Sequence, residues 1–299
     1  MLQYSLIIRE VIFMKTAEMY GKGRTVLSFE VFPPKKTSAV ETVYKAIDAL
    51  VQYKPDYISV TYGAGGSSVN NYTCDIASLI KNKYGIESVA HLTCVNNTAA
   101  DIDSVLAQFK ENNIENILAL RGDIVPGVEP KKDFKYASDL IKYISAHGDF
   151  GIAGACYPET HVEAESPEAD IKNLKTKVEA GAQDLVTQLF FENELFYSFR
   201  ERCLKEGINV PMAAGIMPVT SKSQIERMVT MCGASLPQKF VKMLQKYESR
   251  PEALIDAGIA YATDQIVDLI SNGVDGIHIY TMNNPYVAGK ITESIKNLL

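Results

Sequence analysis

The chain of 299 residues repeats one pattern eight times: a short apolar run, a polar loop, and a segment with apolar residues every three to four positions. The runs are 25–32, 57–62, 88–94, 116–120, 151–157, 184–190, 210–216 and 276–280. The periodic segments between them cover about 39–53, 70–84, 99–113, 136–147, 167–181, 193–206, 222–231 and a longer region, 237–272; a last one runs from 285 to 298. Val40, Val43, Ala46, Ile47, Leu50 and Val51 show the helical period clearly. Strands alternating with helices at an even period, with no linker, predict one α/β domain over residues 1–299. The expected form is a (β/α)8 TIM barrel, and an open doubly wound sheet is the runner-up. Residues 1–22 are expected to add an N-terminal helical extension.

A barrel gathers the C-terminal ends of its strands on one face, and that face carries the chemistry. Polar residues do fall there. Glu30 stands near the end of the first strand, in S-F-E-V-F-P-P, and Thr61 ends the second. His91 and Thr93 lie in the third, followed by Asn96. Arg121-Gly122-Asp123 follows the fourth, and Tyr157, Glu159 and His161 follow the fifth. Gln188 closes the sixth, and Tyr280 and Asn283 follow the eighth. Alternation alone leaves Glu30 open between a solvent-facing strand residue and a working acid.

Composition excludes several function classes. With 30 Lys and Arg against 36 Asp and Glu, the formal net charge is −6, so no basic face is available to track nucleic acid. No apolar run has the length of a membrane span, because Arg9 and Glu10 interrupt the N-terminal stretch L-I-I-R-E-V-I-F-M. That stretch reads as a short amphipathic helix with a face for the barrel or a partner. The cysteines (Cys74, Cys94, Cys156, Cys203, Cys232) are odd in number and form no C-x-x-C pair, which points to reduced thiols in the cytoplasm. No spacing of His, Cys or Glu supports a metal. Lys35-Lys36 reads as a solvated pair. Y-G-A-G-G-S-S (62–68) lacks the spacing of a phosphate loop and reads as a flexible connection, with Ser67, Ser68 or Asn70 capping the next helix.

Nine blocks in order resemble the 5,10-methylenetetrahydrofolate reductases. They are S-F-E-V-F-P-P (28–34), V-T-Y-G-A-G-G-S (60–67), H-L-T-C (91–94), A-L-R-G-D (119–123), Y-A-S-D-L (136–140), Y-P-E-T-H-V-E-A (157–164), T-Q-L-F-F (187–191), G-I-M-P-V (215–219) and H-I-Y-T-M-N (278–283). The length resembles that of the bacterial form, a catalytic barrel alone. The resemblance implies an FAD enzyme that takes electrons from NADH, NADPH or another donor and reduces 5,10-methylenetetrahydrofolate to 5-methyltetrahydrofolate in ping-pong fashion. FAD in a barrel agrees with the absence of a G-x-G-x-x-G fingerprint.

The same resemblance assigns roles. Glu30 is the general acid that protonates the departing N10, and the phenylalanines beside it are expected to dry its surroundings. Asp123 serves the flavin edge and the pterin. Gln188, Gln224 and Tyr280 fall at folate positions. Thr61, His91, Arg121, Gly122, Tyr136, Ala137, Tyr157, His161, Asp170, Asn173 and Lys177 fall at FAD positions. Asp170, Asn173 and Lys177 share a helix at spacings of three and four, hence one face. Two positions depart from the enterobacterial pattern. Asn284 replaces an Arg that holds the folate tail, and Met228 replaces an aromatic that stacks on the nicotinamide. Met228 raises the expectation of weak direct use of NADH or NADPH and of an electron-delivering partner protein, in a hetero-complex or a homo-oligomer. The competing readings are a barrel aldolase or lyase and a non-catalytic subunit. No strand ends in a Schiff-base lysine, and both Glu30 and Asp123 are present, which weighs against them.

Overall fold

The computed structural model describes residues 14–34, 40–62, 72–124, 127 and 129–299. The amphipathic stretch before residue 14, Lys35-Lys36 and the loop with Ser67, Ser68 and Asn70 lie outside them. Among the described residues, eight parallel strands close into a barrel in chain order, β1 to β8, with β8 paired back to β1. The order is β1 (Val26–Val31), α1 (Val40–Leu50), β2 (Tyr57–Val60), α2 (Tyr72–Tyr84), β3 (Glu87–Thr93), α3 (Ala99–Glu111), β4 (Asn116–Leu120), α4 (Ala137–His147) and β5 (Gly151–Cys156). It continues with α5 (Pro167–Glu179), β6 (Asp184–Thr187), α6 (Asn193–Lys205), β7 (Met212–Ile216), α7 (Lys222–Cys232), α8 (Gln238–Tyr247), α9 (Pro251–Ser271), β8 (Gly276–Tyr280) and α10 (Pro285–Ile295). The (β/α)8 barrel is therefore the fold, and the open sheet is excluded.

β4 and β8 match their apolar runs, β3 is shifted by one residue, and the other strands are shorter. β6 stops at Thr187, and Leu189 and Phe191 join a satellite cluster above the barrel instead of extending the strand. The long periodic region 237–272 divides into α8 and α9. Pro251 forces the break: it opens α9, and a residue before proline is steered out of the helical region, as Arg250 is. Between residues 14 and 22 the helical segment is a single 3-10 turn, Thr16–Met19.

Both faces of each strand are buried, so parity sorts the core into two layers. Leu27, Phe29 and Val31 of β1 point outward into the helix layer, with Ile58 and Val60 of β2. Val26, Tyr57, Val89, Leu118, Ala153, Val186 and Ala213 fill the barrel interior, and Met19 and Tyr20 plug it from below. Polar contacts lock the plug. Thr16 N–H donates to Asn116 Oδ1 at 2.9 Å, and Thr16 Oγ1 donates to Asp184 Oδ1 at 3.0 Å. Beside it Lys81 pairs with Glu87 at 2.5 Å and Glu115 at 2.9 Å. The opposite end is left as the mouth. The satellite cluster of α7, α8 and α9 stands on its β6–β8 side.

Candidate active site

Glu30 faces into the barrel because it shares parity with Val26 and Ser28. Its side chain keeps 18% of its exposure, so it is reachable from the mouth. Two buried imidazoles approach the same oxygen. His91 Nε2 lies 3.5 Å from Glu30 Oε2, and His278 Nε2 lies 3.7 Å from it. Neither distance is a made hydrogen bond, and His91 Nε2 has no hydrogen-bond partner among the described residues. Burial pushes the His91 pKa down to about 4, against the pull of Glu30, so this ring is neutral near pH 7. His278 is anchored by Ser28, whose Oγ lies 2.7 Å from Nδ1, and its ring meets Tyr280 edge-on at 5.4 Å.

The expected part of the phenylalanines needs correction. Phe29 is fully buried on the outer face of β1, among the helix-layer residues, and so lies across the strand from the Glu30 side chain. Residues i and i+1 of a strand point to opposite faces. Phe32 is only half-buried, and its backbone is engaged by a neighbour. Around Glu30 stand His91 and His278, with Ser59 and Tyr280 level with it on the neighbouring strands.

The end of β1 is strapped to the loop after β8. Asn283 Oδ1 accepts from Phe32 N–H at 3.0 Å, and its Nδ2 donates to Phe32 O at 2.9 Å. Thr281 Oγ1 donates to Glu30 O at 2.6 Å. Met282 and Asn283 take positive φ, 52° and 54°, to make these contacts. The two-point clamp fixes the backbone that carries Glu30. Tyr280 donates to Thr187 O at 2.5 Å. Gly215 makes room for this: a Cβ there would lie 2.3 Å from Thr187 O and 2.6 Å from the Tyr280 hydroxyl. Gln188 turns its amide back on Leu189 N–H at 2.9 Å, and Gln224 accepts from Thr220 at 2.7 Å.

A second group forms on the β3–β5 side. Gly122 has φ +84°, a left-handed conformation, and a Cβ there would meet Thr93 Cβ at 2.8 Å. Glycine thus lets the chain pass flat over β3 into Asp123, which is exposed. Arg121 forms a two-point pair with Glu163, one arm of it at 2.9 Å. Tyr157 and His161 meet edge-on at 4.6 Å, and Lys177 Nζ lies 5.4 Å from the Tyr157 ring. Burial pushes the Tyr157 hydroxyl up to about 12 and lowers His161 and Lys177 from their usual ranges. Lys177 donates to Ala155 O at 2.8 Å, and Asp170 Oδ2 accepts from His161 N–H at 3.0 Å.

Not every expected residue joins this group. Asn173 is exposed, while Asp170 and Lys177 on the same helix turn inward, so the trio divides. The Tyr136 ring is 52% exposed, Ala137 is buried at the start of α4, and Thr61 directly follows β2 and accepts from Thr73 at 2.9 Å. Asn284 caps α10, its Oδ1 accepting from Val287 N–H at 3.3 Å. Met228 packs half-buried on the satellite cluster. Sequence reasoning missed His278, Ser28, Ser59 and Glu163. His278 was findable, since it lies two positions before Tyr280 and shares its face.

Among the described residues no three His, Cys, Asp or Glu side chains gather as a metal site, and no helix is long and apolar enough to cross a membrane. All five cysteines are free thiols.

Comparison with known proteins agrees with this geometry. The chain is 37% identical over 287 residues to a 5,10-methylenetetrahydrofolate reductase of Pectobacterium carotovorum, covering 96% of this chain and 95% of that one. It is 36% identical to the Escherichia coli enzyme of the same name over the same shares. It is 39% identical to Methylenetetrahydrofolate reductase (NADH) 1 of Arabidopsis thaliana, covering 90% of this chain but 48% of that protein. Among solved structures, an uncharacterized Clostridium thermocellum protein that binds two copies of 5-methyl-5,6,7,8-tetrahydrofolic acid shares the fold. It matches with a TM-score of 0.64 at 14% identity, over 92% of this chain and 96% of that one. The family described as methylenetetrahydrofolate reductase matches residues 15–296. The chain belongs to the methylenetetrahydrofolate reductase family of oxidoreductases.

Proposed function

We propose that this barrel binds FAD and reduces 5,10-methylenetetrahydrofolate to 5-methyltetrahydrofolate, with Glu30 as the general acid. The observation that carries the reading is an acid held on a clamped backbone, part-exposed at the mouth and flanked by two buried imidazoles.

The residues at the mouth fit a large polar cofactor. His91 Nε2 and Asn96 Oδ1 are buried without hydrogen-bond partners among the described residues, and both lie on or just after β3. A bound group with donors and acceptors is what such atoms lack. Gly122 brings backbone to the same edge. The residues that would hold FAD are Thr61, His91, Arg121, Gly122, Asp123, Tyr136, Ala137, Tyr157, His161, Asp170, Asn173 and Lys177. When bound, FAD supplies the hydride, drawn from NADH, NADPH or a partner protein.

The chain's own residues do the rest. Gln188, Gln224 and Tyr280 orient the folate, beside Glu30 and Asp123. Glu30 passes its proton to N10 as the bond from the methylene carbon to N10 breaks. That leaves a carboxylate on Glu30 and a cation at N5 ready for hydride. Asp123 favours that cation through its charge and accepts from the pterin amino group. His91, neutral by burial, does not compete for the proton.

The test is direct. Purified protein should be yellow with a flavin spectrum. A Glu30→Gln variant should keep FAD and its reduction, and lose folate reduction by about 10²-fold or more. Wild-type rates of folate reduction in that variant would sink the assignment. Mixing with NADH under anaerobic conditions reads the donor. Slow bleaching, expected from Met228 packed into the satellite cluster, supports delivery by a partner protein, and rapid stoichiometric bleaching refutes it. Soluble expression in the cytoplasm is expected.

A further inference from the structure

A file of polar side chains runs down the barrel axis, and the mechanism above leaves it unused. Strand register creates it. Ser28 stands level with Tyr57 on β2 and with His278 on β8, and all three point inward. Ser28 Oγ lies 2.7 Å from His278 Nδ1 and also bonds the Tyr57 hydroxyl. The Tyr57 hydroxyl lies 3.3 Å from that of Tyr20. Tyr20 belongs to the plug and lines an open cavity of about 230 Å³ on the N-terminal face, shared with Arg200 and Asp275. At the upper end His278 reaches Glu30 Oε2 at 3.7 Å and Ser59 Oγ at 3.4 Å.

Barrel interiors are normally packed with branched apolar residues. Here the polar groups run from the proposed acid, across a 3.7 Å gap to His278, down to Tyr20, a residue that lines a solvent-open cavity. A merely satisfied polar core does not need both ends placed so. Burial drives the pKa of Tyr20 and Tyr57 up, so both hydroxyls stay protonated and can pass a proton only by giving one as they take one. The titratable groups beside the file are Asp184, close to both phenols, Asp275 by Tyr20, Asp56 by Tyr57, and His91 beside Glu30.

We propose that Tyr20, Tyr57, Ser28 and His278 return a proton to Glu30 from the N-terminal face while the mouth is occupied. The inference rests on the reading of Glu30 as general acid. The transfer balances. His278, protonated on Nε2, gives that proton to the Glu30 carboxylate, and a rotation of the part-exposed Glu30 side chain closes the 3.7 Å gap. Nδ1 then takes the Ser28 hydroxyl proton, Ser28 takes that of Tyr57, Tyr57 that of Tyr20, and Tyr20 one from a hydronium ion in the cavity, which is left as water. Every group of the file ends neutral with its hydrogen bonds reversed, and the hydroxyls and the imidazole turn back before the next proton passes. The four residues act through Glu30 and touch neither folate nor flavin.

The test uses the FAD-loaded full chain with Tyr57→Phe and Tyr20→Phe, which keep the rings and remove the hydroxyls. Ser28→Ala is the substitute if either fails to fold. Two readouts separate relay from packing. The first is hydrogen–deuterium exchange at the Glu30 carboxyl with 5-methyltetrahydrofolate occupying the mouth, followed by its infrared band, assigned by its loss in Glu30→Gln. The second is the rate of the first folate turnover against later ones, with a reduced dye as electron source. The expected result is exchange slower by about tenfold or more. Later turnovers should slow against the first by a similar factor, with a larger solvent isotope effect. Exchange and turnover ratios equal to wild type overturn the relay. A wild-type enzyme with no first turnover overturns the folate reading itself, so the two failures are distinguishable.

Discussion

Asp184 offers a test of the plug that needs no cofactor. Its carboxyl is fully buried at the lower end of β6, where Thr16 Oγ1 donates to it at 3.0 Å. No cation pairs with it among the described contacts, and burial raises its pKa from 3.8 to about 7. The unfolded chain releases this proton near pH 4 and the folded chain near pH 7. Between these values the folded state holds the extra proton, so stability falls as pH rises and then levels off above about 7. About three units at 1.36 kcal/mol each put the cost at roughly 4 kcal/mol in alkaline solution. Asp184→Asn keeps the shape and the acceptor for Thr16 and removes the titration. The new amide must find acceptors, which costs about 1–3 kcal/mol. The variant should therefore gain about 1–3 kcal/mol over wild type at pH 8, and that advantage should shrink by about 2–3 kcal/mol at pH 5, leaving it near neutral or slightly less stable there. Urea unfolding of the cofactor-free protein at the two pH values reads the change. A variant equally destabilised at both would refute the reasoning, because Asp184 would then be a carboxylate whose charge the fold requires.

Three further outcomes follow from the geometry. Phe29→Ala should cost about 3–5 kcal/mol in denaturant unfolding while folate reduction at 20 °C stays within a few-fold, because the ring belongs to the helix layer; loss of turnover in folded protein would return it to the site. Gly215→Ala places a Cβ 2.3 Å from Thr187 O, so the Tyr280 hydroxyl must leave Thr187 and the folate KM should rise, with stability lower by about 1–3 kcal/mol, both read on one preparation. Glu163→Gln frees Arg121 from its pair, and FAD should bind about two- to fivefold more tightly in a flavin-fluorescence titration at low salt, the gain fading as salt rises.

The repeat of strands and helices made the barrel legible, because eight evenly spaced units have few ways to bury their faces. Element ends were less so. Leu189 and Phe191 continue the apolar run of β6 in sequence, yet they serve another cluster, and hydropathy does not record which core a residue joins. The candidate site was legible where the motif blocks lie, at Glu30, His91, Arg121 and Tyr280. Partners set by register were hidden. Ser28 meets Tyr57 and His278 only because three strands distant in sequence stand at one level. Glu163 pairs with Arg121 across 42 positions, a separation no periodicity announces.

S-F-E-V-F-P-P shows why that limit matters for chemistry. In sequence Phe29 is the closest neighbour of Glu30, and in the barrel it faces away. In a strand buried on both sides, the residues that shape an acid are those two apart on its own strand and those level with it on the next. For Glu30 the level neighbours are Ser59 and Tyr280, and one layer below stand Ser28 and His278. Every one of these carries a polar group, whereas the outward residues Leu27, Phe29 and Val31 carry none. From Ser28 upward, β1 therefore separates into a polar inner column and an apolar outer one, with Val26 below closing the interior. It places Glu30 directly above a hydrogen-bonded column, 3.7 Å from His278 at its top, so substitutions deep in the barrel should be felt at the acid sooner than substitutions beside it in sequence.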